Sequence, residues 1–141
     1  MSERILVAIP EGHALAERDP IHWIDLKEET ILLSRRDPGP ELRDLIIAKT
    51  TSPGNRPKIV RHDVTRASIK SLVGAGFGVT LLTEASDGAS VAGVVYRELR
   101  DGVEPTRIGY SVHWRADNEN PALANFLKVL GERYPLPAPD P

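Results

Sequence analysis

The 141-residue sequence contains no cysteine. That absence excludes a disulfide scaffold, thiolate zinc sites, a thiol nucleophile and iron–sulfur clusters. Aromatic residues are scarce, with two Trp, three Tyr and two Phe, so aliphatic side chains must build the core. An excess of positive charge is lacking too. Eighteen Lys and Arg face 20 Asp and Glu, a net charge of −2. No basic field is left over to neutralise nucleic-acid phosphates. No apolar run approaches the ~18–20 residues of a membrane span, and Met1-Ser2-Glu3-Arg4 leads into a short apolar strand, unlike a signal peptide. The expectation is a cytoplasmic, water-soluble protein with one domain, since two separate cores do not fit this length.

Motifs for catalysis are missing as well. None of the serines stands in a Gly-x-Ser-x-Gly elbow. His13, His22, His62 and His113 form no pair at metal-ligand spacing, and no metal or cofactor is expected. Gly74-Ala75-Gly76-Phe77-Gly78 invites a nucleotide-loop reading, but a phosphate loop follows a strand and opens a helix. Here the order is helix, glycines, strand, so the glycines read as a helix C-terminal cap and a close turn.

What is present is an alternation of strands and helices. Arg4–Ile9 reads as a buried strand ended by Pro10. Ile21–Glu29 holds a helical turn around Trp23, Ile24 and Leu26. Thr30–Ser34 is a second buried strand, and Pro38-Gly39-Pro40 leads into a helix that ends near Lys49, with Leu42, Leu45 and Ile46 on one stripe. Lys58–His62 is a third strand. Asp63 or Thr65 then caps a helix with Ile69, Leu72 and Val73 on its apolar face. Strands follow at Val79–Thr83, Val91–Leu99 and Thr106–Arg115, the last one alternating and placing His113 as a partly buried histidine. Asn120 caps a final helix with Pro121 at its first position and a stripe of Leu123, Phe126, Leu127 and Leu130. The tail beyond Tyr134 has four prolines in seven residues. Strands separated by helices imply an α/β fold, with a mixed, mostly parallel sheet and helices on both faces.

One constellation points to a ligand. Ser34-Arg35-Arg36 lies where a strand leaves the sheet and a helix begins. Asp63-Val64-Thr65 lies at the equivalent place in the next unit. Open α/β sheets bind ligands outside the carboxyl ends of their strands, where helix N-termini offer unpaired N–H groups and a positive dipole end. Ser34 and Thr65 hydroxyls could orient a small polar molecule, and Arg35 or Arg36 could hold a carboxylate.

The same segments resemble a known family. Val7–Leu15 (VAIPEGHAL) is similar to the strand, Pro, small-residue, His-Pro-Leu segment of LysR-type transcriptional regulators, with Ala14 in place of the usual proline. Trp23-Ile24-Asp25-Leu26, Ile31–Asp44 and Pro57-Lys58-Ile59-Val60 resemble the segments that follow. Leu72–Leu82 (LVGAGFGVTLL) is similar to the family's Leu-Val-x-x-Gly-x-Gly pattern. Val112–Arg115 and Asn120–Leu127 resemble its closing strand and helix. The resemblance covers about residues 4–132.

It implies an effector-binding domain with a periplasmic-binding-protein type 2-like lobe. Lobe 2 would span about residues 16–105. The crossing strands would be about 4–9 and 106–115, and the terminal helix about 120–133. The winged helix-turn-helix and the first part of lobe 1 have no counterpart in these residues, so no direct nucleic-acid binding is carried over. The implied ligand is a small-molecule effector, a carboxylate among the candidates. It would touch Ser34, Arg35, Arg36, Asp63, Val64 and Thr65, with Gly76 and Gly78 holding a turn beside the pocket. The apolar stripe of the last helix suggests a homodimer. A stand-alone solute-binding module and a small α/β enzyme remain open alternatives.

Overall fold

The computed structural model describes residues 2–36, 39–86, 91–109 and 113–134. The chain divides into two compact units, the larger covering Ser2–Ile108 and the smaller running from Gly109 onward.

In the larger unit the strand β1 (Ser2–Pro10) lies centrally. It runs antiparallel to β5 (Thr80–Thr83), with Ile5 opposite Thr83 and Ala8 opposite Thr80. On its other side it is antiparallel to β6 (Val94–Asp101), with Leu6 opposite Glu98. Two residues of β2 (Ile21–His22) pair parallel to β6. β7 (Glu104–Pro105) folds back on β6, and β8 (Arg107–Gly109) pairs with β1. β3 (Thr30–Ser34) and β4 (Lys58–His62) form a parallel pair in register from Thr30–Lys58 to Ser34–His62.

The backbone of Val79 stitches this pair to the rest. The Leu32 amide donates to the Val79 carbonyl at 2.8 Å, and the Val79 amide donates to the Thr30 carbonyl at 2.9 Å. Across the sheet the order is therefore β4, β3, β5, β1, β6, β2.

Successive side chains on a strand point to opposite faces. Ile31 and Leu33 join Ile5, Val7, Ile9 and Leu81 on one face. Leu32 joins Ala8 and Leu82 on the other. Both faces are covered, which is why these strands read as continuous apolar runs. Helix α1 (Gly39–Thr50) covers the first face with Leu42 and Ile46. Helix α2 (Arg66–Gly74) covers the second with Ile69 and Val73. Thr65 rather than Asp63 caps α2, its hydroxyl accepting from the Ser68 amide at 3.2 Å.

Two boundaries differ from expectation. β6 begins at Val94, because Ala92 and Gly93 form a turn in which Gly93 takes φ 79°. The alternating segment Thr106–Arg115 forms a strand at Arg107–Gly109, residues 110–112 lie outside the described residues, and His113–Arg115 are exposed and not in a strand. His113 is therefore not the partly buried histidine expected; alternation without a ladder partner does not make a strand. The Pro-rich tail 135–141 also lies outside the described residues.

The smaller unit contains α3 (Pro121–Arg133). Asn120 caps it, its side-chain oxygen accepting from the Ala122 amide at 2.9 Å, with Pro121 in the first turn. Leu123, Leu127 and Leu130 are half-buried, and Phe126 is 52% exposed. No helix among the described residues is long and apolar enough to cross a membrane.

Candidate functional site

The chain leaves β3, crosses the first face as α1 and enters β4 at the sheet edge. It then returns over the second face as α2 to β5, on the opposite side of β3. Between β3 and β5 the connections depart in opposite directions. That reversal opens a crevice at the carboxyl ends of the two strands, the usual ligand position in open α/β sheets.

A cavity of about 40 Å³ lies there. Its apolar wall is Leu33, Leu42, Ile69, Leu81 and Leu82; its polar lining is Ser34, Arg36, Arg66, Lys70, Thr80 and Thr83. Three cationic side chains and three hydroxyls thus meet, with no Asp or Glu among the described lining residues.

The loops around the cavity are tied together locally. The buried Ser34 hydroxyl donates to the Val64 carbonyl at 2.7 Å and accepts from the Arg36 amide at 3.1 Å. The Arg35 amide donates to the His62 carbonyl at 3.0 Å. One serine therefore fastens the end of β3 to the loop after β4. The Thr80 hydroxyl donates to the Leu32 carbonyl across the seam. Arg36 Nε lies 3.5 Å from Asp63, with both side chains well exposed, so screening leaves this pair weak.

Of the residues expected at the site, Ser34 and Arg36 line the cavity, and Val64 contributes its carbonyl. Asp63 holds Arg36 from outside, and Thr65 caps α2 from an exposed position. Arg35 is exposed and does not line the cavity. Gly76 and Gly78 are not beside it. Gly78 packs on the Thr30 carbonyl at the amino end of β3, whereas the cavity is at the carboxyl end, four residues or about 13 Å along the strand. Gly76 sits in the same far turn, at φ 89°. The glycines serve the joint between α2 and β5, as their order after a helix indicates.

Sequence reasoning passed over Arg66, Lys70, Thr80 and Thr83. Thr83 carried a usable signal, since it ends β5 as Ser34 ends β3. Lys70 carried a weaker one, a lysine beside Ile69 and near Val73 on an apolar stripe.

With this geometry in view, the chain can be set beside known proteins. A sequence profile described as the LysR substrate binding domain matches residues 1–135. The chain belongs to the LysR substrate-binding domain family. It is 27% identical over 128 residues to the HTH-type transcriptional regulator AlsR of Bacillus subtilis (strain 168), covering 91% of this chain and 42% of that protein. It is 27% identical over 132 residues to the HTH-type transcriptional regulator IlvR of Caulobacter vibrioides, covering 94% of this chain and 43% of that protein. The chain thus spans less than half the length of these curated relatives. Among solved structures, the effector binding domain of a BenM variant shares the fold with a TM-score of 0.73 at 23% identity, covering 95% of this chain and 62% of that one. The switch-point cavity lies within the larger unit, Ser2–Ile108.

Proposed function

We propose that this chain is the effector-sensing part of a LysR-type transcriptional regulator, with a small organic molecule entering the cavity between β3 and β5. The observation that carries this reading is the cationic, hydroxyl-rich cavity at the sheet's switch point. Its apolar walls suit a hydrocarbon body, and its cations suit a carboxylate. Family membership supports the regulatory role. The relatives are transcriptional regulators, so the proposed role is binding, with transcription following from a ligand-driven shift between domain arrangements. The proposed location is the cytoplasm. The first ligands to try are small aromatic and branched carboxylates; a solved BenM effector binding domain holds benzoate as its effector.

The test is a thermal-shift and NMR screen of small organic acids against the purified chain. A ligand at a hundred times its Kd should stabilise the fold by about 2.7 kcal/mol. That corresponds to a melting shift of roughly 5–10 °C for a domain near this size. A panel that moves neither the melting point nor the amides of Ser34, Thr80 and Thr83 counts against the proposal.

The working unit proposed is a homodimer, motivated by the stripe on α3 with Phe126 half exposed. Sedimentation showing only monomer at tens of micromolar would remove that part.

A further inference from the structure

We propose that the open edge of β4 is a docking surface for an extended acidic peptide of a partner protein. The peptide adds a strand beside β4 and lays its carboxylates among Arg43, Arg56 and Arg61. This surface shares no lining residue with the switch-point cavity.

β4 is the outermost strand, with β3 on one side and no strand on the other among the described residues. Along a strand, successive residues turn their N–H and C=O groups to opposite edges. The His62 carbonyl accepts from the Arg35 amide at the end of β3, so His62 faces β3. Ile59 and Arg61 therefore face outward, and their backbone groups have no partner among the described residues. These donors and acceptors are a template for an added strand.

The side chains of the same two residues line a groove between β4 and α1. α1 offers Arg43, Ile47 and Thr51 to it, spaced i, i+4 and i+8 on one stripe of the helix. The loop between helix and strand adds Arg56 and Pro57. The helix stripe rises about 12 Å, and the five residues of β4 span about 16 Å. Four or five residues of extended peptide match that length. The space is about 510 Å³, against about 40 Å³ at the switch point.

Charge selects the occupant. The chain carries −2 overall, yet this groove gathers three arginines and no Asp or Glu among its described lining residues. Arg56 and Arg61 have no ion-pair partner among the described residues, and Arg43 has only the exposed Asp44 at 3.7 Å. Basic residues on an edge strand deter pairing between copies, but that use needs only Lys58 and Arg61 of β4 itself. It does not call for a helix arginine and a loop arginine lining the same groove. Two copies joined edge to edge would set these charges against their own kind. A nucleic acid would find no aromatic side chain among the described lining residues on which to stack a base. A peptide alternating acidic and apolar residues satisfies every part. Its backbone pairs with Ile59 and Arg61. Its carboxylates meet the arginines in charge-assisted bonds. Its apolar side chains fall on the opposite face, beside the half-buried Val60.

The experiment titrates a blocked seven-residue peptide alternating Val and Glu into the full chain, at low salt, followed by amide shifts. The amides of Ile59 and Arg61 should move, and those of Thr80 and Thr83 should not. A peptide with Lys in place of Glu should bind at least about tenfold weaker, a ratio that three exposed ion pairs together supply. Arg56→Glu with Arg61→Glu, both at exposed positions, should reverse that preference. Arg56→Gln with Arg61→Gln should reduce it to less than about threefold. The Glu peptide with a methylated backbone keeps its charge but cannot donate to the edge, and should bind at least about fivefold weaker. No movement of the Ile59 and Arg61 amides, or equal binding of the Glu and Lys peptides, overturns the inference. Undiminished binding of the methylated peptide overturns strand addition and leaves a site for carboxylates alone. A single-stranded oligonucleotide that moves the same amides at lower concentration than the peptide reassigns the groove to nucleic acid. A sedimentation coefficient that falls in the Arg56→Glu, Arg61→Glu chain reassigns it to a second copy.

Discussion

Gly78 is the most tightly enclosed glycine among the described residues. A Cβ built there would lie 2.5 Å from the Thr30 carbonyl oxygen, 3.2 Å from Leu32 Cγ and 3.3 Å from the Thr30 carbonyl carbon. Two of these are backbone atoms, which cannot swing aside. They also belong to the seam where Val79 bonds to Thr30 and Leu32 at 2.9 and 2.8 Å. Gly78→Ala must therefore push β3 away from β5 or bend β5 out of line. Weakening both seam hydrogen bonds costs about 1–3 kcal/mol, taking 0.5–1.5 for each. Forcing a methyl group into packed backbone adds about 1–3 kcal/mol. The expected loss is about 2–6 kcal/mol, a large part of the roughly 5–15 kcal/mol of a natural domain. The melting point should drop by roughly 6–18 °C. Urea unfolding followed by circular dichroism measures it. The control is Gly131→Ala in α3, where the new methyl meets nothing within 4 Å. In a helix interior that change should stabilise by about 0.5–1 kcal/mol. Were Gly78→Ala to fall within about 0.5 kcal/mol of the parent, the range of an ordinary surface substitution, the steric reasoning would be refuted.

Other outcomes follow from the same structure. The buried Trp23 indole donates to the Thr106 hydroxyl at 2.9 Å, so Thr106→Val should cost about 1–3 kcal/mol by stranding the indole N–H, read from urea midpoints. Glu84 accepts from the Arg4 amide and from its guanidinium at 3.1 and 2.9 Å, and these bonds hold its carboxyl below the ordinary value of 4.5. A lowered folded pKa gives stability that is present above that value and lost as pH falls through the folded one. Glu84→Gln should therefore flatten the acid limb of the stability profile below about pH 4.5, and added salt should have a similar effect. Ile46 is fully buried and Ile24 largely exposed; Ile46→Ala should cost about 2–5 kcal/mol and Ile24→Ala less than about 0.5 kcal/mol. Equal losses at the two sites would contradict the placement of α1 on the sheet.

The β3–α1–β4–α2–β5 segment was legible in the sequence because its signals are local. Apolar runs of four or five residues, a helical stripe and a capping residue at Asp63 or Thr65 each act within one element. The termini of strands were less legible. Gly93 sets where β6 begins only through the close approach of Ala92 to Gly74, 18 residues away in sequence. The candidate site was half legible. Ser34, Arg36 and Val64 lie on loops whose position follows from the strand–helix plan. Lys70, Thr80 and Thr83 come to the same cavity only because α2 changes face and carries β5 to the far side of β3. No spacing in the sequence encodes that turn, and without it the two glycines after α2 look close to a pocket from which they are remote.

The central position of β1 has a consequence for how the chain is made. Its strand partners are β5, β6 and β8, and the nearest of them begins at Thr80. When β1 leaves the ribosome, both of its edges are open and none of its partners exists. At about 5–20 residues per second, β6 is complete roughly 5–18 s after β1. Throughout that interval an apolar strand with two free edges must be kept from pairing with another chain. The β3–β4 pair waits far less, because only α1 and its loops separate the two strands. Synthesis at low temperature, or with holding chaperones in excess, should therefore raise the soluble yield chiefly by protecting β1.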